Sequence, residues 1–361
     1  MSYTTSSIPV RLGLHVGEWV VVRSKEEILV TLDEKACLDS LPFQPEMLAF
    51  CGRRMRVAKV AHKTCNNIKK AEGRGRRMLD AVHLEGARCD GAGHGGCQAD
   101  CVFFWKEAWL QRENDVPMYV AVLNSCTEAI VWRSAHSLSQ ESTDDPVWVC
   151  QTTKLYDATA PLYWWDMRQY IRDVTSGNHK AWHMIKLLIF SAYRKLVGFG
   201  AGYTFLIDCF NRFQKLRGGK PYPLGVGTIP DGKPTPIEIL NLQPGELVEV
   251  RSQDEIRATL THSGVNRGMR YDPEMSKYCG ERYRVQMRIE RLINEETGKM
   301  MTMRNPCIQL EDVYCRAECT DQRLGCPRAS NTYWREIWLR RINDATLLAN
   351  KDQLARTTRI R

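Results

Sequence analysis

LGLHVGEWVVVRSKEEILVTLDEKACLDSLPFQPEMLAFCGRRMRV, residues 12–57, and LNLQPGELVEVRSQDEIRATLTHSGVNRGMRYDPEMSKYCGERYRV, residues 240–285, align without a gap at a constant offset of 228. Gly17 matches Gly245, Glu18 matches Glu246, Arg23 matches Arg251 and Ser24 matches Ser252. The Pro-Glu-Met at 45–47 recurs at 273–275, Cys51-Gly52 recurs as Cys279-Gly280, and Arg54 and Arg56 recur as Arg282 and Arg284. Self-similarity in register over such a length means one structural unit encoded twice. A second block follows each copy: AVHLEGARC and then FFWKEAWL in the first half, CIQLEDVYC and then TYWREIWL in the second. It pairs Cys89 with Cys315, Cys97 with Cys326, Trp105 with Trp334 and Trp109 with Trp338. The modules therefore occupy 10–113 and 238–345.

Within each module GEWVVVRS alternates and is β-branched, which predicts a strand, while KEEILVTL and PEMLAFCG have helical spacing. In the second copy RYRVQMRIERLI, the turn NEETG and KMMTMRNPCIQLEDV predict a long hairpin. The fold class expected is α+β: two duplicated small β-barrel-like modules with Cys-rich metal sites, joined by a partly helical central region. The glycine-led opening strand is similar to those of KOW and Src-homology-type small barrels.

Residues 114–219 stand outside the repeat. APLYWWDMRQYIRDVTSG predicts a helix with an aromatic start, its YWWD either core or a stacking platform. The apolar stretch 179–219 is broken by Lys186, Arg194, Lys195 and Asp208, so no transmembrane span is expected. It reads either as helices filling the space between the modules or, over 179–216, as an amphipathic element on a membrane surface. Prolines and glycines make 220–237 a linker, and 346–361 is a basic tail.

The chain is 43% hydrophobic and 26% charged over 361 residues, enough for a sizeable core and for two or three domains. Its start lacks the features of a secretory signal, which points to the cytoplasm. Fourteen cysteines in a reducing compartment point to metal ligands rather than disulfides. The first module concentrates Cys89, His94, Cys97 and Cys101 in CDGAGHGGCQADC, with glycines that permit tight turns. The second offers Cys307, Cys315, Cys319 and Cys326. Soft and borderline donors at such spacing suit tetrahedral zinc, with an iron–sulfur cluster as the alternative. His62, Cys65, His83, Cys51 and Cys279 are reserve ligands, whereas Cys37, Cys126, Cys150 and Cys209 read as packing residues. The shells differ between copies, since Cys101 aligns with Ser330 and Cys307 with Ala81.

HLEGARCDGAGHGGCQADC and CPRASNTYWREIWL resemble a bacterial family of duplicated, cysteine-rich proteins to which no activity is assigned. The resemblance spans nearly the whole chain and implies no chemistry, so function rests on the residues. P-loop, dinucleotide-binding glycine, HExxH and GxSxG motifs are absent from the sequence. A thiol nucleophile with His94 as base is one catalytic reading. Glu107 and Glu336, read as strand residues among tryptophans, are either acid–base groups or partners of Arg54, Arg56, Arg282 and Arg284. The leading expectation is a zinc protein whose modules bind a protein partner, with nucleic acid as a second partner through the basic loop 69–77, where Lys69, Lys70, Arg74, Arg76 and Arg77 cluster. The alternatives are a metal- or iron–sulfur-dependent enzyme or redox accessory protein, and a peripheral membrane assembly protein.

Overall fold

The structure, a computed structural model, describes residues 11–65, 75–113, 126–137, 146–198, 202–319 and 323–342. Lys69, Lys70 and Arg74 of the basic loop and the tail 346–361 lie outside them. The fold is α+β, and the chain divides into two compact units. The first comprises Met1–Lys195, Arg291–Thr302 and Arg316–Ser330; the second comprises Leu196–Glu290, Met303–Cys315 and Asn331–Arg361.

In the first unit β1 (Trp19–Val22) pairs antiparallel with β2 (Arg54–Val60) and β7 (Leu110–Arg112). Strand β2 continues to β5 (Ala81–Leu84), and β5 to β6 (Trp105–Lys106), giving the order β6-β5-β2-β1-β7. A three-residue 3-10 turn, Glu107–Trp109, joins the two edge strands. So short a link forces the sheet to curl, yet the sheet order gives β6 and β7 no mutual pairing, so the expected barrel is an open half-barrel. Alternation along β1 sends Val20 and Val22 into a core shared with Val57, Val82, Trp105 and Trp109. Phe43 meets Trp109 edge-on at 5.2 Å between ring centroids.

The second unit holds β9 (Leu247–Val250), β10 (Arg282–Arg288), β13 (Ile308–Tyr314), β14 (Asn331–Trp334) and β15 (Leu339–Arg341) in the order β14-β13-β10-β9-β15. Its register repeats that of the first sheet: Trp19 opposes Arg56, and Leu247 opposes Arg284, both partners shifted by the same 228 residues. Each opening strand leads into a short capped helix, α1 (Lys25–Leu29) or α6 (Gln253–Arg257). Ser24 and Ser252 close capping boxes with Glu27 and Glu255. Helix α1 stops short of the KEEILVTL expectation, where β-branched Val30 and Thr31 follow. The PEM segments form 3-10 helices, Pro45–Phe50 and Pro273–Tyr278, in place of the expected α-helices.

Glu107 and Glu336 also depart from the strand reading, since each opens its 3-10 turn. The Glu107 carboxylate accepts hydrogen bonds from the amides of Leu12, Gly13 and Leu14, and that of Glu336 accepts from Leu240, Asn241 and Leu242. Arg288, not one of the expected arginines, reaches Glu336 at 2.9 Å. Both are buried clasps that tie the start of a module to its end, which leaves neither placed for acid–base work.

Also in the first unit, β3 (Lys63–Cys65), β4 (Gly75–Arg77) and β8 (Ala160–Pro161) make a small sheet, and α2 (Glu128–Ser134) and α3 (Arg168–Thr175) cross the central region. Arg76 is buried and donates to Thr159 and Tyr156, while Arg77 pairs with Asp166 at 2.7 Å. Neither is free for a phosphate. The hairpin β11 (Arg291–Ile293) with β12 (Met300–Thr302) belongs to this unit. The apolar stretch forms α4 (Ala181–Gly198) and α5 (Tyr203–Leu216), and among the described residues no helix is long and apolar enough to cross a membrane. Tyr163, Trp164 and Trp165 are about half exposed, against the expectation of core. In the second unit the 220–237 segment is held by backbone bonds from Gly227 to Thr261 and from Ile229 to Leu260, so it does not run as a free linker.

Candidate metal centre

The dense cysteine segment folds as a loop closed at its base. Arg88 and Val102 form an antiparallel bridge, and the amide of Cys89 donates to the carbonyl of Cys101 at 2.9 Å, which sets the two cysteines side by side. At the tip the Gly91 carbonyl accepts from both His94 and Gly96 at 3.0 Å. Gly91 sits at φ +75°, and a Cβ there would stand 2.1 Å from the carbonyl oxygen of Cys97. Only glycine lets the chain fold back so closely.

The loop places Cys89, His94, Cys97 and Cys101 on one cavity of about 490 Å³, a figure that counts the open solvent at its mouth. Cys150, Gln151 and Thr152 line it too, and the β11–β12 hairpin adds Ile293 and Glu295. Cys150, expected as a packing residue, thus stands with the dense set. The segment Val149–Cys150 lies far along the chain, so its place here is a product of packing alone.

Glu46, from the first Pro-Glu-Met, is the other residue that spacing did not single out. Among the described residues, Glu46, Cys89 and His94 form a group of three whose potential ligand atoms lie within 4.8 Å of one another. The Oε1 of Glu46 faces Nδ1 of His94 at 2.7 Å, accepts from the Gly93 amide at 2.9 Å, and receives the Cys89 thiol at 3.6 Å. Nε2 of His94 stands 3.1 Å from the carbonyl of Val149, next to Cys150. Glu46 is thus a candidate ligand itself, and the same carboxylate fixes the Nδ1 side of the His94 ring, as oxygen partners do for metal-binding imidazoles. Burial is the largest influence on the Glu46 carboxyl and opposes ionisation, but the bond and charge of His94 and the amide of Gly93 outweigh it and hold the pKa below its ordinary value.

No disulfide joins the described cysteines, and burial pushes Cys89, Cys97 and Cys101 upward. An activated nucleophile needs the opposite shift, so these three thiols do not fit the reading of a nucleophile with His94 as base. Clustered thiols that burial keeps protonated are the state a dication converts, because metal charge displaces the protons.

The second predicted set is not gathered in one unit: Cys307 and Cys315 belong to one, Cys319 and Cys326 to the other. Cys307 is fully buried and pushed up to about 12 by that burial. In the first unit Cys326 is hydrogen-bonded to Cys65, which lowers the Cys65 thiol to about 6 despite its burial, with Arg328 assisting. Arg328 Nη1 is 3.9 Å from Cys65 Sγ, and the guanidinium pairs with Glu295 at 2.7 Å. Of the other reserves, His83 lies against the carbonyl of Phe103 at 2.8 Å and His62 beside Asp173 at 3.3 Å. Cys51 is raised to about 11 by burial, and Cys279 packs at 3.4 Å from the Tyr271 hydroxyl. Comparison with protein-family models, with curated proteins and with solved structures finds no match to this chain, so its chemistry is argued from these side chains alone.

Proposed function

We propose that the chain is a metal-binding protein whose main centre is the cavity around His94, that the ion is zinc, and that the half-barrel modules act as a scaffold for a protein partner. The observation that supports this is the convergence of four thiols and one imidazole on a single cavity, with a buried carboxylate behind the imidazole. Mixed nitrogen and sulfur donors favour zinc, whereas an iron–sulfur cluster is held by thiolates with histidine as the exception. Cys89 and His94 are the core of a four-ligand shell, which two of Cys97, Cys101 and Cys150 complete.

The test is elemental analysis of the purified chain with an anaerobic absorption spectrum. A colourless protein carrying zinc, whose zinc is lost in Cys89→Ser and His94→Ala, is the expected result. Visible charge-transfer bands with iron and acid-labile sulfide sink the zinc reading in favour of the iron–sulfur one. If neither metal is present after expression in metal-replete medium, the site is structural packing and the proposal falls.

A further inference from the structure

Helix α4 is apolar on two opposite faces. Met184 and Leu187 point inward and join Tyr170 and Leu324 in a small core of the first unit. The other face carries Trp182, Ile185 and Ile189, at helical spacing, and these are 64%, 46% and 63% exposed. A helix on an aqueous surface needs one apolar stripe, and a second one left in water costs free energy unless something covers it.

Charge indicates what does. Residues 174–207 contain Lys180, Lys186, Arg194 and Lys195 and not one Asp or Glu. Lys186 holds its ammonium 5.5 Å from the centre of the Trp182 ring, flanking the stripe. Lys195 lies over Trp164, 3.0 Å from the ring centroid, and so ties the exposed aromatic turn of Tyr163, Trp164 and Trp165 to the same helix. Tyr163 and Trp165 stack at 4.5 Å. The nearby carboxylates are already engaged, Asp166 by Arg77 and Arg168 and Glu318 at 3.9 Å from His183. Exposed tryptophans and tyrosine beside isoleucines, rimmed by lysines, match the interface of an anionic bilayer, where rings sit at the headgroup level and ammonium groups meet phosphates. An acidic protein surface would satisfy the lysines but would give Trp182, Ile185 and Ile189 no apolar depth. In the second unit α5 has an exposed stripe of its own, Phe205, Phe213 and Leu216.

We propose that the Trp182, Ile185 and Ile189 face of α4, with the aromatic turn at 163–165, docks the protein in the plane of an anionic lipid surface without crossing it. This is independent of the metal reading, since none of these residues lines the cysteine cavity. The experiment is flotation of the full chain with phosphatidylcholine vesicles and with phosphatidylcholine–phosphatidylglycerol vesicles, at low and high salt. Binding to the mixed vesicles, weakened by salt, is expected, and the triple variant Trp182→Ser, Ile185→Ser, Ile189→Ser should lower the partition at least about tenfold. Because the three side chains are exposed, the variant should keep the wild-type unfolding midpoint and metal content, which separates lost docking from lost folding. Failure to float with either vesicle overturns the proposal. So does sedimentation as a dimer that the triple variant dissociates, because the face would then belong to a second copy of the chain.

Discussion

Glu46 and the two clasp glutamates show how one residue type serves different ends according to what its oxygens meet. Behind His94, Glu46 sets the ring for a metal, so Glu46→Gln should keep the thiols yet weaken zinc affinity by roughly 10–100-fold, measured by competition with a chromophoric chelator. Unchanged affinity would mean that this carboxylate neither binds the ion nor holds the His94 ring for it. Glu107 instead accepts three backbone amides in the protein interior. Replacing it by Gln turns one acceptor into a donor facing amide hydrogens, which should lower the unfolding free energy by about 1–3 kcal/mol in urea titrations without altering metal content. The counterpart Glu336→Gln should cost at least as much, since it also loses the ion pair with Arg288.

At the scale of elements, the Cys89–Cys101 loop and the capped helices make separable predictions. Gly91→Ala must place a Cβ 2.1 Å from the Cys97 carbonyl at a positive φ, so the loop has to open and its cysteines separate. Loss of bound zinc with little change in far-ultraviolet circular dichroism is the expected outcome, and full zinc retention would show the loop geometry to be dispensable. Ser24→Ala and Ser252→Ala each remove the acceptor of a capping box, worth about 1 kcal/mol apiece. As the two caps lie in different compact units, their effects should add in the double variant.

For the whole molecule the response to acid follows from buried histidines. Burial depresses His62 to about 3, and it depresses His83 and His179 to about 4, against an ordinary value of 6.5. Each is therefore neutral in the fold, and its contribution to stability is present above about pH 6.5 and is lost as pH falls toward those depressed values. Asp173 opposes them: burial raises it to about 6 against a model-compound 3.8, so its contribution is present below that ordinary value and is lost as pH climbs through 6. Three depressed histidines outweigh one raised carboxyl, and urea midpoints of the metal-free chain should fall between pH 6.5 and 4. A midpoint that rises over that window would contradict the burial of these rings. Metal removal at neutral pH should lower the midpoint as well, because ligand binding to the folded state alone is stabilising.

Residue order alone determined the repeat, its constant offset, the strand openings and the loop that brings Cys89, His94, Cys97 and Cys101 together, since all of these are local in the chain or follow from matching one half to the other. Tertiary packing decided what periodicity does not encode. It curled each sheet until Glu107 and Glu336 turned from strand residues into buried clasps, and left those sheets as open half-barrels. It carried Cys150 and Glu46 from distant segments to the His94 loop. Spacing reports which residues can share a turn or a face, whereas a ligand shell drawn from separate segments depends on how those segments pack.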